Sequence, residues 1–391
     1  MKKLSIIGKG TAGALSAAYF SRHTDWEIDW YYDPNIKPVP VGESCATSLP
    51  YLLKDCIDFK HSDLEKIDGN LKFGIRKIDW NGIGDYYEEY APPIVAYQFN
   101  ANKLQDFIED KLKTKVNIIH KNITSLDNID GDYILNCMGK TKNEDEYNSI
   151  DCLPVNSAYV TQCYWDYPKF QYTISIAKEY GWCFVIPLKN RCAVGYVYND
   201  NYSTLDIIKE DVKEIFKTFN LEPSDTTISL KFKSYFKKNN FDNRIVYNGN
   251  ASFFLEPLEA FPIGIMTQII TNSYKIWHKN DLSLQKANEI FHKSIEETQT
   301  MILMHYFAGS KYNNEFWKFA QDRAKQKLSK SIKMILQDYS KAINNGQSPD
   351  QFNNFLQGNF LNTKDDLWYL RLFHLNFNGL GLKDRIKEIT S

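Results

Sequence analysis

Three glycines near the N-terminus have a spacing that suits the binding of a phosphate group. Gly8, Gly10 and Gly13 follow a short apolar run and precede a stretch rich in alanine. In such a segment the first glycine permits a tight turn, the second lets a pyrophosphate approach the backbone, and the third lets a helix pack closely on a strand. Free N–H groups at the start of the helix favour an anion. Residues 8–13, called the glycine turn below and including Thr11 and Ala12, therefore predict a dinucleotide site.

The residues around the glycine turn predict the elements that must position it. Lys3–Ile7 is typical of a buried strand, and residues 14–20 are typical of a helix. A second strand over residues 26–32 ends at Asp33, about 20 residues after Gly13, where a carboxylate would bond ribose hydroxyl groups. A glycine-rich turn in a domain that binds no nucleotide is the alternative, but it leaves Asp33 unexplained.

The rest of the chain predicts two further kinds of structure. An apolar strand that stops at Gly139 is of the sort that returns to a nucleotide-binding sheet, and residues 153–200 are typical of a second sheet, mainly antiparallel. After residue 275 apolar positions recur at helical spacing. The expected fold is α/β (α+β): a Rossmann-like domain, the second sheet and a C-terminal helical region. The expected domains are residues 1–275 and 276–391, with a loop at residues 345–349.

Composition excludes several classes of function. The 391 residues carry 47 Lys+Arg and 48 Asp+Glu, a net charge of −1, so the basic surface that nucleic acids require is not expected. No apolar run reaches the roughly 18 residues that a membrane span needs. The seven cysteines form no C-x-x-C pair, which favours reduced thiols in a cytoplasmic protein and no metal site. We expect the N-terminus to be retained rather than cleaved as a signal peptide.

Four segments carry a resemblance to a known family. They are the glycine turn with residues 41–44 (VGES), residues 71–80 (LKFGIRKIDW), residues 181–188 (GWCFVIPL) and residues 248–259 (NGNASFFLEPLE). Together they resemble the flavin-dependent halogenases, in particular the tryptophan halogenase family, over roughly residues 1–320. The resemblance implies that FAD lies along the glycine turn, Asp33, Glu43, Gly139 and Asn250.

The resemblance also implies a catalytic lysine. Residues 71–80 are similar to the family's K-x-x-I-[KR]-x-x-x-W segment, which places Lys72 at the position of the family's essential lysine. A lysine amine can hydrogen-bond a hypohalous acid or form a haloamine with it. A surface lysine beside an amphipathic strand is the alternative.

Aromatic residues are implied to separate flavin from substrate. Residues 181–188 are similar to the family's G-W-x-W-x-I-P signature, with Trp182 kept and Phe184 in place of the second tryptophan. Tyr306 and Phe316 resemble the family's substrate-binding helix more loosely. Core packing of aromatic side chains is the alternative for all four.

The implied halide site departs from the family pattern. Glu259 stands at the position of the family's active-site glutamate, but Phe261, Pro262 and Ile263 follow where many members have a Ser-Thr-Gly type turn. Proline has no N–H to donate to an anion. Because larger halides lose less hydration free energy on burial, we hypothesise a preference for bromide or iodide over chloride. Compensation by neighbouring amides is the alternative.

The implied reaction uses FADH2, O2 and a halide to form a hypohalous acid that is guided to Lys72 and halogenates an electron-rich aromatic substrate. Because the chain shows no second dinucleotide fingerprint, we expect FADH2 to come from a separate flavin reductase. An FAD-dependent aromatic monooxygenase and a non-catalytic flavin-binding protein are the alternatives. Homo-oligomerisation stays open.

Overall fold

The strand, helix and strand predicted at the N-terminus are confirmed. β1 (Lys3–Ile7) is a buried apolar strand, and α1 (Thr11–His23) follows the glycine turn. β2 (Glu27–Tyr32) pairs with β1 in parallel. Parallel neighbours need a crossover connection, which α1 provides.

The computed structural model describes residues 1–36, 43–82, 84–90, 93–127, 129–344 and 365–383, together with Arg385 and Glu388. Two features of the sequence analysis lie outside these residues. They are Val41 and Gly42, which belong to the VGES segment, and the loop expected at residues 345–349.

Strands and helices alternate irregularly along the described residues. The strands are β1 and β2, β3 (Glu43–Ser44), β4 (Asn70–Lys72), β5 (Gly74–Ile78), β6 (Asp85–Glu89), β7 (Ala96–Phe99), β8 (Asn117–His120), β9 (Tyr133–Asn136), β10 (Tyr147–Ser149), β11 (Ser157–Tyr164), β12 (Thr173–Lys178), β13 (Gly181–Pro187), β14 (Arg191–Tyr198), β15 (Glu222–Lys231), β16 (Tyr235–Lys237), β17 (Phe241–Asp242), β18 (Ile245–Tyr247) and β19 (Phe253–Phe254). The α-helices are α1, α2 (Ser48–Ile57), α3 (Ala101–Leu112), α4 (Leu205–Thr218), α5 (Pro262–Tyr274), α6 (Leu284–Ala308), α7 (Glu315–Asn344) and α8 (Asp365–Gly379).

The chain divides into two compact units, of which the first comprises residues 1–71, 96–150 and 233–295. Its largest sheet has the strand order β17-β18-β9-β1-β2-β8, and every neighbouring pair except β17–β18 is parallel. In sheets of this kind ligands bind at the carboxyl ends of the strands. Gly8, Asp33 and Gly139 all follow such ends, so the sheet accounts for the predicted nucleotide-binding position of each.

The second unit comprises residues 72–95, 151–232 and 296–391. Its sheet has the order β15-β11-β14-β13-β12-β5-β6, and all neighbours are antiparallel except the parallel pair β12–β5. One face packs against apolar residues of α4, which are Ile208, Val212 and Ile215. The predicted mainly antiparallel sheet is therefore confirmed.

The helical character predicted after residue 275 is confirmed by α6, α7 and α8, and the predicted fold class is confirmed with it. The domain boundary at residue 275 stays a prediction. None of the seven cysteines, all of which lie in the described part of the chain, forms a disulfide. None of the helices in the described residues combines the length and the hydropathy that crossing a bilayer requires.

Candidate functional site

The glycine turn of the first unit is shaped by close backbone contacts. Gly8 has φ +111°, and a Cβ atom there would lie 2.6 Å from the carbonyl oxygen of Cys137. A Cβ at Gly13 would lie 2.0 Å from the carbonyl oxygen of Gly8. At Gly10, by contrast, no atom of the described residues lies within 4 Å of the Cβ position. The first and third glycines therefore permit packing, while the second leaves open space at the start of α1, as a pyrophosphate requires.

Asp33 and Gly139 follow the carboxyl ends of β2 and β9, the two strands that flank β1 in the same sheet. Oδ1 of Asp33 accepts hydrogen bonds from the backbone N–H of Asn35 at 2.9 Å and from its side-chain amide at 3.0 Å, which fixes the carboxylate at the end of β2. Gly139 has φ +108°, and within the described part of the chain nothing lies within 4 Å of its Cβ position. Both positions have the geometry that the sequence predicts for a nucleotide site, and their roles in binding stay predictions.

A buried carboxyl group lies beside the start of α1. The hydroxyl of Thr11, the first residue of α1, donates to Glu43, with 3.2 Å to each carboxylate oxygen. Burial raises the pKa of Glu43 to about 7, and the Thr11 hydrogen bond opposes this shift. The proton reduces the negative charge that Glu43 places near a helix N-terminus suited to an anion.

The predicted Asn250 lies in a 3₁₀ turn, Gly249–Ala251, that abuts α1. Gly249 has φ +60°, and a Cβ there would lie 2.9 Å from the Cβ of Ala12. The structure thus brings Thr11, Ala12, Glu43 and this turn together at the start of α1. The side chain of Asn250 is exposed.

Glu259 also belongs to the first unit, in a turn just before α5. Its side chain is only 5% exposed, and the backbone N–H of Ala260 donates to the carbonyl oxygen of Pro257 at 3.2 Å. Ala260 has φ +53°, a left-handed conformation that an alanine adopts at a cost. This reversal lets α5 begin two residues later.

The predicted halide segment forms the first turn of α5. Phe261 is the N-cap and Pro262 the first helical residue, where its missing N–H is tolerated. The backbone N–H groups of Ile263 and Gly264 follow it, and first-turn N–H groups have no acceptor within their own helix. Of the described residues, none has an atom within 4 Å of the Cβ position at Gly264. The segment can offer two adjacent amides to an anion.

In the second unit, Lys72 lies at the end of β4 and is fully buried, at 0% exposure. Its Nζ atom lies 5.6 Å from the centre of the Tyr90 ring, over the ring. The backbone between them is fixed, because the N–H of Tyr90 donates to the carbonyl oxygen of Phe73 at 2.8 Å and the N–H of Phe73 to that of Gln171 at 3.0 Å. Burial excludes the alternative of a surface lysine. We call Lys72, β5, β6 and Tyr90 the lysine hairpin.

The aromatic residues of β13 are packed tightly in the same unit. Trp182 and Phe184 are 1% and 5% exposed, with ring centres 6.0 Å apart. Phe184 lies over Gly195 of the neighbouring strand, where a Cβ would lie 2.0 Å from the ring. The position of Phe184 therefore depends on this glycine.

Tyr306 and Phe316 are part of a buried aromatic cluster with Trp80 and Trp317. The Trp80 ring centre lies 6.0 Å from that of Tyr306 and 5.9 Å from that of Trp317, which is 5.4 Å from Phe316. Tyr306 and Phe316 are 0% and 1% exposed. Core packing accounts for their placement, and their role in substrate binding stays a prediction.

Sequence reasoning missed a buried polar network beside the lysine hairpin. Nζ of Lys77 lies 3.1 Å from Nε2 of His305, and the hydroxyl of Tyr86 donates to Oδ1 of Asn376 at 2.8 Å. The amide of Asn376 donates to Glu88 at 2.9 Å. Among these, Lys77, Glu88, His305 and Asn376 are at most 2% exposed. The network links β5 and β6 to α6 and α8.

His305 is neutral in this network. Burial, followed by the nearby Lys77 charge, holds the pKa of its imidazole well below the usual range. Nδ1 lies 2.9 Å from the carbonyl oxygen of Met301 and must donate to it, so Nε2 accepts from Lys77.

Tyr90 is the second feature that the sequence analysis missed. It lies 18 positions after Lys72, and no motif links the two. The Asn81-Gly82 dipeptide between two strand-like runs is a hairpin signal, and counting back through the pairs Gly74–Glu89 and Ile75–Glu88 would have placed Tyr90 beside Lys72.

Curated proteins that are similar to this chain include two tryptophan halogenases. A tryptophan 6-halogenase from Streptomyces albogriseolus is 28% identical over 324 residues, covering 74% of this chain and 59% of that protein, so the chain spans less than two thirds of its length. A tryptophan 7-halogenase from Lentzea aerocolonigenes is 22% identical, covering 97% of this chain and 89% of that protein.

Solved structures show the same fold. The tryptophan halogenase from Shewanella frigidimarina superimposes with a TM-score of 0.79 at 17% identity, covering 97% of this chain and 89% of that one. BrvH, a flavin-dependent halogenase from Brevundimonas sp., gives a TM-score of 0.75 at 17% identity, covering 97% and 90%.

The family model described as tryptophan halogenase matches residues 3–95 and 92–389, almost the whole chain. The relatives named above are halogenating enzymes, which confirms at the level of the family that the chain is an enzyme. The predicted resemblance is therefore confirmed, and the chain belongs to the tryptophan halogenase family.

Proposed function

We propose that this protein is a flavin-dependent halogenase that uses FADH2, O2 and a halide to halogenate an electron-rich aromatic substrate. The observation that carries the proposal is the fully buried Lys72 in a segment similar to the family's lysine motif. A lysine loses its hydration when it is buried, so full burial is uncommon for this residue type and marks position 72 as a specific interior site.

The first unit has the residues to hold FAD. The amides at the start of α1 and the open space at Gly10 suit the pyrophosphate, and Asp33 suits the ribose. The turn that carries Asn250 and the carboxyl group of Glu43 border the same place. When bound in its reduced form, FAD supplies with O2 the two-electron oxidant that turns a halide into a hypohalous acid.

Lys72 holds and orients the hypohalous acid. An amine or ammonium nitrogen can donate a hydrogen bond to its oxygen and direct the halogen toward one ring carbon. The amine and the ammonium both carry N–H donors, so the orienting role holds for either form.

Glu259 accepts the proton that leaves the halogenated ring. The carboxyl group is 5% exposed and follows the Glu256-Pro257-Leu258 run that resembles the family's stretch. A buried carboxylate positioned at the reaction is a suitable general base. This role and that of Lys72 are carried over from the family residue by residue.

The first turn of α5 binds the halide, with bromide or iodide preferred over chloride. Pro262 removes one donor and leaves the amides of Ile263 and Gly264. Fewer donors repay less of the hydration that a small anion loses on burial, so the smallest halide is disfavoured most.

Halide competition tests this preference. Equal concentrations of chloride, bromide and iodide are offered with one phenol or indole acceptor, and the halogenated products are separated by mass. We expect bromo- and iodo-products to exceed the chloro-product; predominant chlorination rejects the preference. Pro262→Ala, which restores an N–H, is expected to raise the share of chlorination.

The function itself is tested with protein, FAD, a separate flavin reductase, NADH and each halide, using a library of aromatic compounds. Products in which a halogen replaces hydrogen, recognised by the mass gain and, for chlorine and bromine, by the isotope pattern, support the proposal. A gain of one oxygen instead identifies a monooxygenase, and bound FAD without any product identifies a non-catalytic flavin protein. Rapid NADH oxidation by the chain and FAD alone contradicts the need for a separate reductase.

A further inference from the structure

The lysine hairpin places a phenol ring of the protein beside the amine that would hold the electrophile. Nζ of Lys72 lies over the Tyr90 ring, 5.6 Å from its centre. Tyr90 is only 6% exposed and Lys72 is 0% exposed. Because the N–H of Tyr90 bonds the carbonyl oxygen of Phe73, the two side chains leave backbone segments that are held together.

This distance suits an electrophile held between the two groups. A hydrogen bond from the amine to a hypohalous acid spans roughly 2.8 Å, and a near-attack contact between halogen and ring carbon spans roughly 3–3.5 Å. With the oxygen–halogen bond between them, these two contacts would exceed the observed 5.6 Å if they were collinear, so the electrophile fits there in a bent arrangement.

The direction of approach also suits halogenation. An electrophile adds to an aromatic ring from its face, and the ring face is negative, which is why it attracts Nζ. The hydroxyl of tyrosine activates the ring carbons beside it. Tyr90 therefore offers the electrophile an electron-rich ring at the position where an external substrate must otherwise compete for it.

We propose that Tyr90 is a self-halogenation site, modified on a ring carbon beside its hydroxyl when the enzyme turns over without an aromatic substrate. This inference rests on the proposed function. The protein's own ring takes the halogen that Lys72 holds, and the modified Tyr90 then crowds the amine. Turnover without substrate thus slows the enzyme.

The step balances without a further reactant. A carbon–halogen bond forms as the oxygen–halogen bond of the hypohalous acid breaks, and the ring carbon loses its hydrogen as a proton. The leaving hydroxide takes up that proton to form water. The ring is oxidised by two electrons and the halogen is reduced.

Peptide mass spectrometry after turnover is the test. The protein is incubated with FAD, a flavin reductase, NADH, bromide and catalase, without an aromatic compound, and a parallel sample contains a phenol. We expect bromine on the Tyr90 peptide in the first sample and at least about tenfold less in the second, because the phenol competes for the electrophile at the same amine.

Reagent hypobromous acid provides a matched comparison. Added stepwise to protein without FAD, beyond the amount that exposed methionines such as Met1 and Met138 consume, it reaches exposed rings first, and we expect it to brominate Tyr167 and Tyr164, which are 70% and 58% exposed, rather than Tyr90. Turnover and reagent should therefore give opposite orders of modification. The same order in both samples overturns the inference.

Three substitutions test whether modification depends on Tyr90 and Lys72 rather than on the surrounding hairpin. Tyr90→Phe keeps a ring over Lys72 but removes the activating hydroxyl, so we expect no bromine there and no loss of rate on incubation without substrate. Tyr87→Phe, the same change at a residue 44% exposed in the same hairpin, should leave the modification of Tyr90 intact. Lys72→Met should abolish it.

The outcomes distinguish this inference from the proposed function. Halogenation of the added phenol with an unmodified Tyr90 in its absence overturns the self-halogenation site and leaves the function standing. Bromine on Tyr90 supports the self-halogenation site and the proposed function. If neither brominated Tyr90 nor halogenated phenol forms, the site and the function are both overturned.

Discussion

The glycine turn of the first unit and the lysine hairpin of the second use different parts of the polypeptide. The glycine turn offers backbone amides and empty space, and it depends on the absence of a Cβ atom at Gly8, Gly10 and Gly13. The lysine hairpin offers side chains, and its stability depends on strand register and on the buried network of Lys77, His305, Tyr86, Asn376 and Glu88. An added side-chain atom should therefore destabilise the glycine turn most. Loss of a polar partner should destabilise the lysine hairpin most.

The largest loss in the free energy of unfolding is expected for a substitution at Gly13. In Gly13→Ala the new Cβ would lie 2.0 Å from the carbonyl oxygen of Gly8, and backbone on both sides must move. We expect the free energy of unfolding to fall by about 3 kcal/mol or more, measured by urea denaturation without FAD. Gly10→Ala is the matched control, since open space lies there; it should keep the stability within about 1 kcal/mol but weaken FAD binding. Equal stabilities for the two variants contradict the proposed role of backbone packing.

A smaller loss in the free energy of unfolding is expected for Asn376→Leu. The change removes the amide that donates to the buried Glu88 and the oxygen that accepts from Tyr86, so each of these residues loses a hydrogen-bond partner. We expect a loss of roughly 2–3 kcal/mol in the free energy of unfolding. Asn378→Leu, at an exposed position of the same helix, should change it by less than about 0.5 kcal/mol. Comparable losses in both variants would show that the network does not stabilise the hairpin.

The smallest effect is expected at Glu43 and depends on pH. Its pKa is raised from the ordinary value to about 7, so the folded protein holds a proton that the unfolded chain releases. The stability linked to this proton is present at acidic pH and is lost as the pH rises through about 7. Glu43→Gln cannot ionise, so the melting temperature of the variant relative to the natural protein should increase between roughly pH 5.5 and pH 8.5. A constant difference across this range contradicts a buried, protonated Glu43.

The contrast between the glycine turn and the lysine hairpin also explains which features can be predicted from the sequence. The glycine turn is local: its strand, turn and helix are contiguous, so spacing alone predicts Lys3–Ile7, the helix that follows and the acid at Asp33. The sequence also predicts the strand that contains Phe184, but the dependence of Phe184 on Gly195 arises from pairing between β13 and β14.

The lysine hairpin is non-local, and only part of it was predictable. Burial of Lys72 was not visible in its sequence neighbours, and its contact with Tyr90 follows from the register of β5 and β6. The network partners His305 and Asn376 come from helices more than 200 residues away in sequence. No periodicity or motif links such positions, because tertiary packing alone brings them together.

The most direct test compares Lys72→Met with Lys77→Met. Both lysines are fully buried and lie five positions apart, so the same substitution separates the role of position 72 from the loss of any buried charge. Aromatic halogenation and oxidation of added free methionine, which traps escaping hypohalous acid, are measured in one reaction with equal FAD occupancy. We predict that Lys72→Met lowers kcat for the aromatic product by about 10²–10⁴-fold while methionine oxidation continues, and that folded Lys77→Met keeps the aromatic product. Aromatic halogenation by Lys72→Met within about tenfold of the natural protein, or an equal loss in both variants, would contradict this prediction.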